Sequence, residues 1–267
     1  MALTNFNEYL DKLKENRVAD FITSTIRILR PNASWQSFNP APATPTTSVA
    51  LDKNSLQSIS NIPAVSTGRL TMLGARVSTS TLSAASMMVV DLLNVSGGLN
   101  ATLTTPQTTN LPTAALTRYT SGEGVMAGIV VYSIIGTTGT TVTISYTNSS
   151  GVSSRTSTAT TLGGGFYREV GVLIPIPLQA GDTGIRSIES VTLAATTGSA
   201  GNFGVCLFKP LSMISLESAT GTMPLDSVST GCIIGSLCEI HPDACLTFSA
   251  VTAVNFSIIG ALILAEA

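Results

Sequence analysis

Ionic side chains are scarce in this chain of 267 residues. Lys and Arg number 13 and Asp and Glu 15, so charged residues are 10% of the sequence and the net charge is −2. An ordinary soluble domain carries ~25%. The shortage excludes nucleic-acid binding as the main task, because that affinity rests on Lys and Arg neutralising phosphates. Aromatic residues are 5%, with one Trp, which leaves few flat platforms for sugar rings. There is one histidine, His241, so a His-dependent triad has a single possible base, and no G-x-S-x-G elbow supplies its nucleophile. Phosphate-loop and dinucleotide fingerprints are missing as well. The opening run MALTNFNEYLDKLKENR lacks the apolar stretch of a secretory signal. The four cysteines are therefore expected as reduced thiols and not as a disulfide framework.

What is abundant is Ser and Thr, about a quarter of the chain, within a sequence that is 44% hydrophobic. That hydrophobic content excludes disorder. A surface with little charge to keep copies apart implies that much of it is covered by partners.

The chain divides by composition. Over residues 1–30, Phe6, Leu10, Leu13, Val18, Phe21, Ile22 and Ile26 recur at three- and four-residue steps, with charged residues between them. The spacing predicts an amphipathic helix, ended by Pro31. Its apolar stripe packs on its own domain or on a neighbouring subunit. Residues 31–66 hold Pro31, Pro40, Pro42, Pro45 and Pro63 and the sole Trp, Trp35, and read as an extended arm or linker. Residues 67–267 form the body. There the period becomes two, in short runs rich in Val, Ile and Thr. Expected strands are Leu70–Val77, Ser86–Leu93, Gly124–Ile135, Thr140–Thr147, Phe166–Ile176, Ser187–Ala195, Phe203–Phe208, Cys232–Ile240, Cys245–Ala250 and Asn255–Leu264. Glycine-bearing turns at 136–139, 148–151, 163–165, 181–184 and 198–201 separate many of them. The uncharged run 244–265 reads as two buried strands joined by a turn, not as a membrane span. The expected fold is all-β, a jelly-roll-like antiparallel β-sandwich preceded by the helix and the arm.

Candidate chemistry is thin. Cys232, Cys238, His241 and Cys245 have the residue types of a zinc site, which needs four ligands in a tetrahedron. A straight strand, however, would hold Cys232 and Cys238 about 20 Å apart, so buried thiols behaving as small hydrophobes are the expectation. Asp182 and Glu189 are the carboxylates closest to a sugar-cleaving pair, although Asp182 sits in a turn sequence. Neither an enzyme nor a cofactor is expected. Arg118, Glu123, Arg155, Arg168 and Glu169 are expected at loop tips, as solvated charges or as groups that set register at contacts.

Several runs resemble virion structural proteins of tailed bacteriophages. They are Asp91-Leu92-Leu93-Asn94-Val95-Ser96-Gly97-Gly98-Leu99 with Thr104-Thr105-Pro106-Gln107-Thr108, then Gly122-Glu123-Gly124-Val125, then Ile144-Ser145-Tyr146-Thr147-Asn148-Ser149-Ser150-Gly151. Leu178–Val191 and Gly198–Gly204 complete the set. The resemblance spans roughly residues 70–265, and its motifs are strand-and-turn signatures without catalytic content. It implies a particle component in the virion, assembled in the bacterial host cytoplasm. Capsid decoration (cement) protein, minor head protein, connector, collar and tail part are the positions it leaves open. Its implied partners are further copies of itself, as a trimer by analogy with cement proteins, and the major capsid protein or other virion proteins. Nucleic acid and membrane are not among them. Phe6, Leu10, Leu13, Phe21 and Trp35 are the candidate interface residues. A host-surface glycan-binding module is the alternative from a different class.

Overall fold

Alternating apolar residues form strands when a partner edge buries one face, and in this chain the partners are mostly distant in sequence. The structure, a computed structural model, describes residues 18–26, 49–55, 58, 70–79, 85–111, 116–165, 167–216, 223–226, 238–251 and 256–266. The strands are β1 (Val18–Ile26), β2 (Val49–Ala50), β3 (Leu70–Thr79), β4 (Ala85–Val95), β5 (Gln107–Leu111), β6 (Met126–Ser133), β7 (Thr140–Asn148) and β8 (Arg155–Thr156). They continue with β9 (Thr160–Leu162), β10 (Leu173–Ile176), β11 (Ile185–Leu193), β12 (Asn202–Leu216), β13 (Met223–Asp226), β14 (Cys238–Ile240), β15 (Leu246–Val251) and β16 (Phe256–Glu266). No helix occurs among the described residues, and every strand pairing is antiparallel.

Three sheets result. The first runs β10-β6-β12-β4-β15, with β2 also paired to β4. The second runs β5-β11-β7-β8, with β9 on β7. The third, a flanking sheet, runs β1-β16-β3-β13, with β14 on β3. The first two form a sandwich. Ala127, Ile129 and Val131 of β6 and Phe203, Val205 and Leu207 of β12 meet Val142, Ile144 and Tyr146 of β7 and Ile185, Ile188 and Val191 of β11 in one buried cluster. The alternate positions Val130, Cys206 and Phe208 are also fully buried, in a second cluster with Val90, Leu92 and Cys245. The first sheet is therefore apolar on both faces, which explains why its strands read as near-continuous hydrophobic runs and not as clean alternations.

Local irregularities follow the chemistry. β12 continues through Pro210, and the register shifts between Pro210 and Ser212. A residue without an N–H is tolerated in a sheet at such a bulge. A second shift between Leu207 and Phe208 leaves Leu93 of β4 without a register partner in β12. The run expected as one strand over Phe166–Ile176 is shorter, confined to Leu173–Ile176, and the turn before it takes Gly163 and Gly164 at positive φ. Residues 244–265 do hold two strands, β15 and β16.

The helix expected over 1–30 falls largely outside the described residues. The part described, Val18–Ile26, is a strand paired with β16, Phe21 opposite Gly260. The helical spacing of Val18, Phe21, Ile22 and Ile26 is overridden there by pairing along the long strand Phe256–Glu266, since strand formation depends on the available partner more than on local pattern. Of the arm expected over 31–66, residues 49–55 and 58 are described.

Candidate functional site

A buried ion pair joins a carboxylate of β4 to a guanidinium in the loop before β6. Asp91 faces Arg118 in a two-point ion pair, Nε to Oδ2 at 2.9 Å and Nη2 to Oδ1 at 2.6 Å. The side chains are 0% and 2% exposed. The remaining valences are filled by backbone. Arg118 Nη1 donates to the Leu51 carbonyl at 2.8 Å and Nη2 to that of Leu92 at 3.2 Å, while the Cys245 N–H donates to Asp91 Oδ1 at 2.9 Å. Burial pushes the Asp91 carboxyl up, against the pull of Arg118. Arg118 is thus not at a loop tip in solvent, contrary to the sequence expectation. The loop that carries it folds inward, with Leu116 in the sandwich core.

A second cluster closes one end of the sandwich. The Tyr146 hydroxyl donates to Asp182 Oδ2 and accepts the Gln179 N–H at 2.8 Å. Asn148 Nδ2 reaches Asp182 Oδ1 at 2.7 Å, and Arg155 pairs with both carboxylate oxygens at 3.0 and 3.2 Å. The Arg155 guanidinium, then the Tyr146 hydroxyl and the Asn148 amide, hold the Asp182 carboxyl down at about 2. Burial, with the carboxylate beside it, raises the Tyr146 phenol. Asp182 is therefore a turn anchor tied from three sides. Glu189 is engaged separately, accepting from Thr147 at 2.7 Å and Ser187 at 2.6 Å.

The other charges of this region are also used internally. Arg186 donates to the Ser121 and Ser149 carbonyls, Glu123 accepts from Thr183, Lys209 donates to the Glu123 carbonyl, and Arg168 pairs with Glu169. Lys209 also lies 5.7 Å over the Tyr119 ring, and burial lowers its pKa. Every charged side chain from residue 116 to 216 consequently has a partner within the chain. Glu123, Arg155, Arg168 and Glu169, expected as solvated or contact charges, belong to this set. Exposed apolar side chains stand among the Ser and Thr residues, notably Met213 at 65%, Val152 at 52% and Val170 at 49%.

Two clefts accompany these features. One of about 460 Å³ is lined by Met126, Pro177, Leu178 and the turn through Asp182. Another of about 260 Å³ lies over the buried ion pair, between Leu51, Asp52, Thr117, His241 and Asp243.

The candidate metal residues are not brought into a site among the described residues, where no group of three or more His, Cys, Asp or Glu is placed to hold an ion. Cys245 is buried with its thiol pushed up to about 12 by burial and by the Asp91 charge, whereas His241 is exposed and accepts the Asp243 N–H at 3.1 Å. Cys238 lies in β14 opposite Met72, and Cys232 is outside the described residues. Of the candidate interface residues, Phe21 lies in β1; Phe6, Leu10, Leu13 and Trp35 are outside the described residues. Sequence reasoning passed over Asp91 as a functional position. The signal was a lone acid within an apolar strand run.

No protein-family model and no curated protein matches the chain. Among solved structures it is similar to the VP2 subviral particle of infectious bursal disease virus, at 10% identity over 97% of this chain and 86% of that one, with a TM-score of 0.18. At that score the likeness carries no argument. The class defined by the geometry is an all-β protein of antiparallel sheets, two of them packed as a sandwich.

Proposed function

We propose that this chain is a non-enzymatic virion structural protein, a capsid decoration protein that oligomerises and stabilises a phage head through protein–protein contacts. The observation that carries the reading is the internal use of charge. From residue 116 to 216 each ionic side chain has a partner within the chain, the exposed Glu123 and Glu189 included, and hydroxyls and scattered apolar side chains share the outer surface with these paired charges. A charge already paired within the chain needs no new partner when a lattice or a second copy covers it, and charge is what the cores of protein interfaces lack.

The strand order supports the same reading. β4-β12-β6-β10 against β5-β11-β7 with β8 and β9 is the order of a jelly roll, an architecture of viral capsid and lectin domains. A fold alone does not assign a function, so the resemblance of the turn motifs to phage virion proteins stands beside it. The partners are further copies, with a trimer as the symmetry, and the major capsid protein. The bound lattice is stabilised by mass action, because the protein binds assembled capsomers and not dispersed subunits.

The test mixes purified protein with heads that lack it, followed by sedimentation and imaging. Density over capsomers is the expected result. Density at one vertex or along the tail moves the chain to a connector, collar or tail position. A monodisperse single chain that ignores heads at every concentration ends the proposal. A variant without residues 1–17 retains every described strand; it is expected to fold and to dock less well, with Phe6, Leu10 and Leu13 as the lost anchor.

A further inference from the structure

Two segments far apart in sequence close on the same ion pair. From one side comes 49–55: the Leu51 carbonyl accepts from Arg118 at 2.8 Å, and the Leu51 N–H donates to the Leu93 carbonyl at 3.0 Å. From the other comes the corner where the chain leaves β14 in the flanking sheet and enters β15 in the sandwich. There the Cys245 N–H donates to Asp91 and its carbonyl accepts from the Leu92 N–H at 2.9 Å. The segments also meet each other, with Lys53 Nζ 3.1 Å from Asp243. The 260 Å³ cleft above the pair is walled by both.

We propose that Asp91 and Arg118 form a latch that docks both segments on β4 as one cooperative unit, so that they detach together while the rest of the sandwich remains folded. Three observations lead there. The edge of β4 is completed in pieces, β2 pairing at Val49 and Ala50 and β15 pairing from Leu246 to Val251. A pairing as short as β2 does not persist unaided. Asp91 Oδ1 is shared between Arg118 and the Cys245 N–H, so loss of one segment admits water to the ion that holds the other. A desolvated pair is stable only with its hydrogen-bond shell complete, which makes the closed arrangement all-or-none. Lys209 lies opposite Asp91 in the ladder, but its ammonium is committed to the Glu123 carbonyl, so it offers no replacement for Arg118.

Hydrogen exchange of the full chain tests it. In Asp91→Asn, amides of 49–55 and of 244–251 are expected to exchange faster by the same factor, about tenfold or more, with β7 and β11 unchanged, as for a local cooperative unit. A response in one segment alone, an equal rise in β7 and β11, or no change overturns the proposal. Should that variant fail to fold, the wild-type chain in sub-denaturing urea serves. The Leu51 and Cys245 amides are expected to merge on one opening isotherm below that of Ile144 and Val191. Separate isotherms, or one shared with the sandwich, refute the latch.

Discussion

Replacing Gly204 with alanine adds one methyl group at the point where β12 passes closest to the end of β4. A Cβ built there lies 1.9 Å from the Ser96 carbonyl oxygen and 2.7 Å from the Gly97 Cα. Both are backbone atoms, so no side chain can swing aside. Relief requires β12 to move away from 96–99, and that movement strains the Ser96 N–H to Val205 bond at 2.8 Å and the Leu99 N–H to Phe203 bond at 2.9 Å. Overpacking costs about 1–3 kcal/mol, and two weakened backbone hydrogen bonds add about 0.5–1.5 kcal/mol each. The expected destabilisation is therefore about 2–6 kcal/mol, a fall in melting temperature of about 4 °C or more for a domain of this size. Gly181→Ala is the control. Nothing lies within 4 Å of its Cβ, and only its φ of +91° opposes a side chain, at a cost of roughly 1–2 kcal/mol. Urea and thermal unfolding of both variants supply the comparison. If Gly204→Ala melts within about 1 °C of the parent, or loses less than Gly181→Ala, the close approach and the packing argument are wrong.

Acid separates the Asp182 cluster from the rest of the fold. Its carboxyl is held at about 2 against an ordinary 3.8, so its stabilising contribution is complete above 3.8 and is lost as the pH falls through 2. Asp182→Asn is expected to be less stable than the parent at pH 7, with the gap narrowing between pH 4 and pH 2 in denaturant titrations; a gap that stays constant contradicts the assignment. Burial pushes the Cys206 thiol well up and the Cys245 thiol to about 12, so neither is expected to react with a thiol reagent in the native chain. Peptide mapping through an unfolding series should find Cys245 modified before Cys206, since the latch opens ahead of the sandwich. Modification of Cys206 first, or of both at native conditions, runs against the structure.

Much of the sandwich was legible because strand and turn signals are local. Val142, Ile144 and Tyr146 alternate with Thr141, Thr143 and Ser145, and the glycines at 136, 139, 181, 184, 198 and 201 mark chain reversals. Short strands such as β5 and β9 carry too few residues to show a period, and they exist because β11 and β7 offer them an edge. Val18, Phe21, Ile22 and Ile26 follow the helical period, and the strand partner of this segment lies at the other end of the chain. The fate of the charges was illegible for the same reason. Arg118 stands between Thr117 and Tyr119 in a polar run, and nothing local directs it to Asp91 of β4.

The order of residues alone marked most of the longer sandwich strands and the turns between them, and how few ions the molecule possesses, because alternation, glycine and charge are properties of neighbours along the chain. Tertiary structure decided which edges pair and which carboxylate each cation meets. Those choices join residues separated by tens to hundreds of positions, and only the closing of sheet on sheet removes the water that would otherwise keep such groups apart.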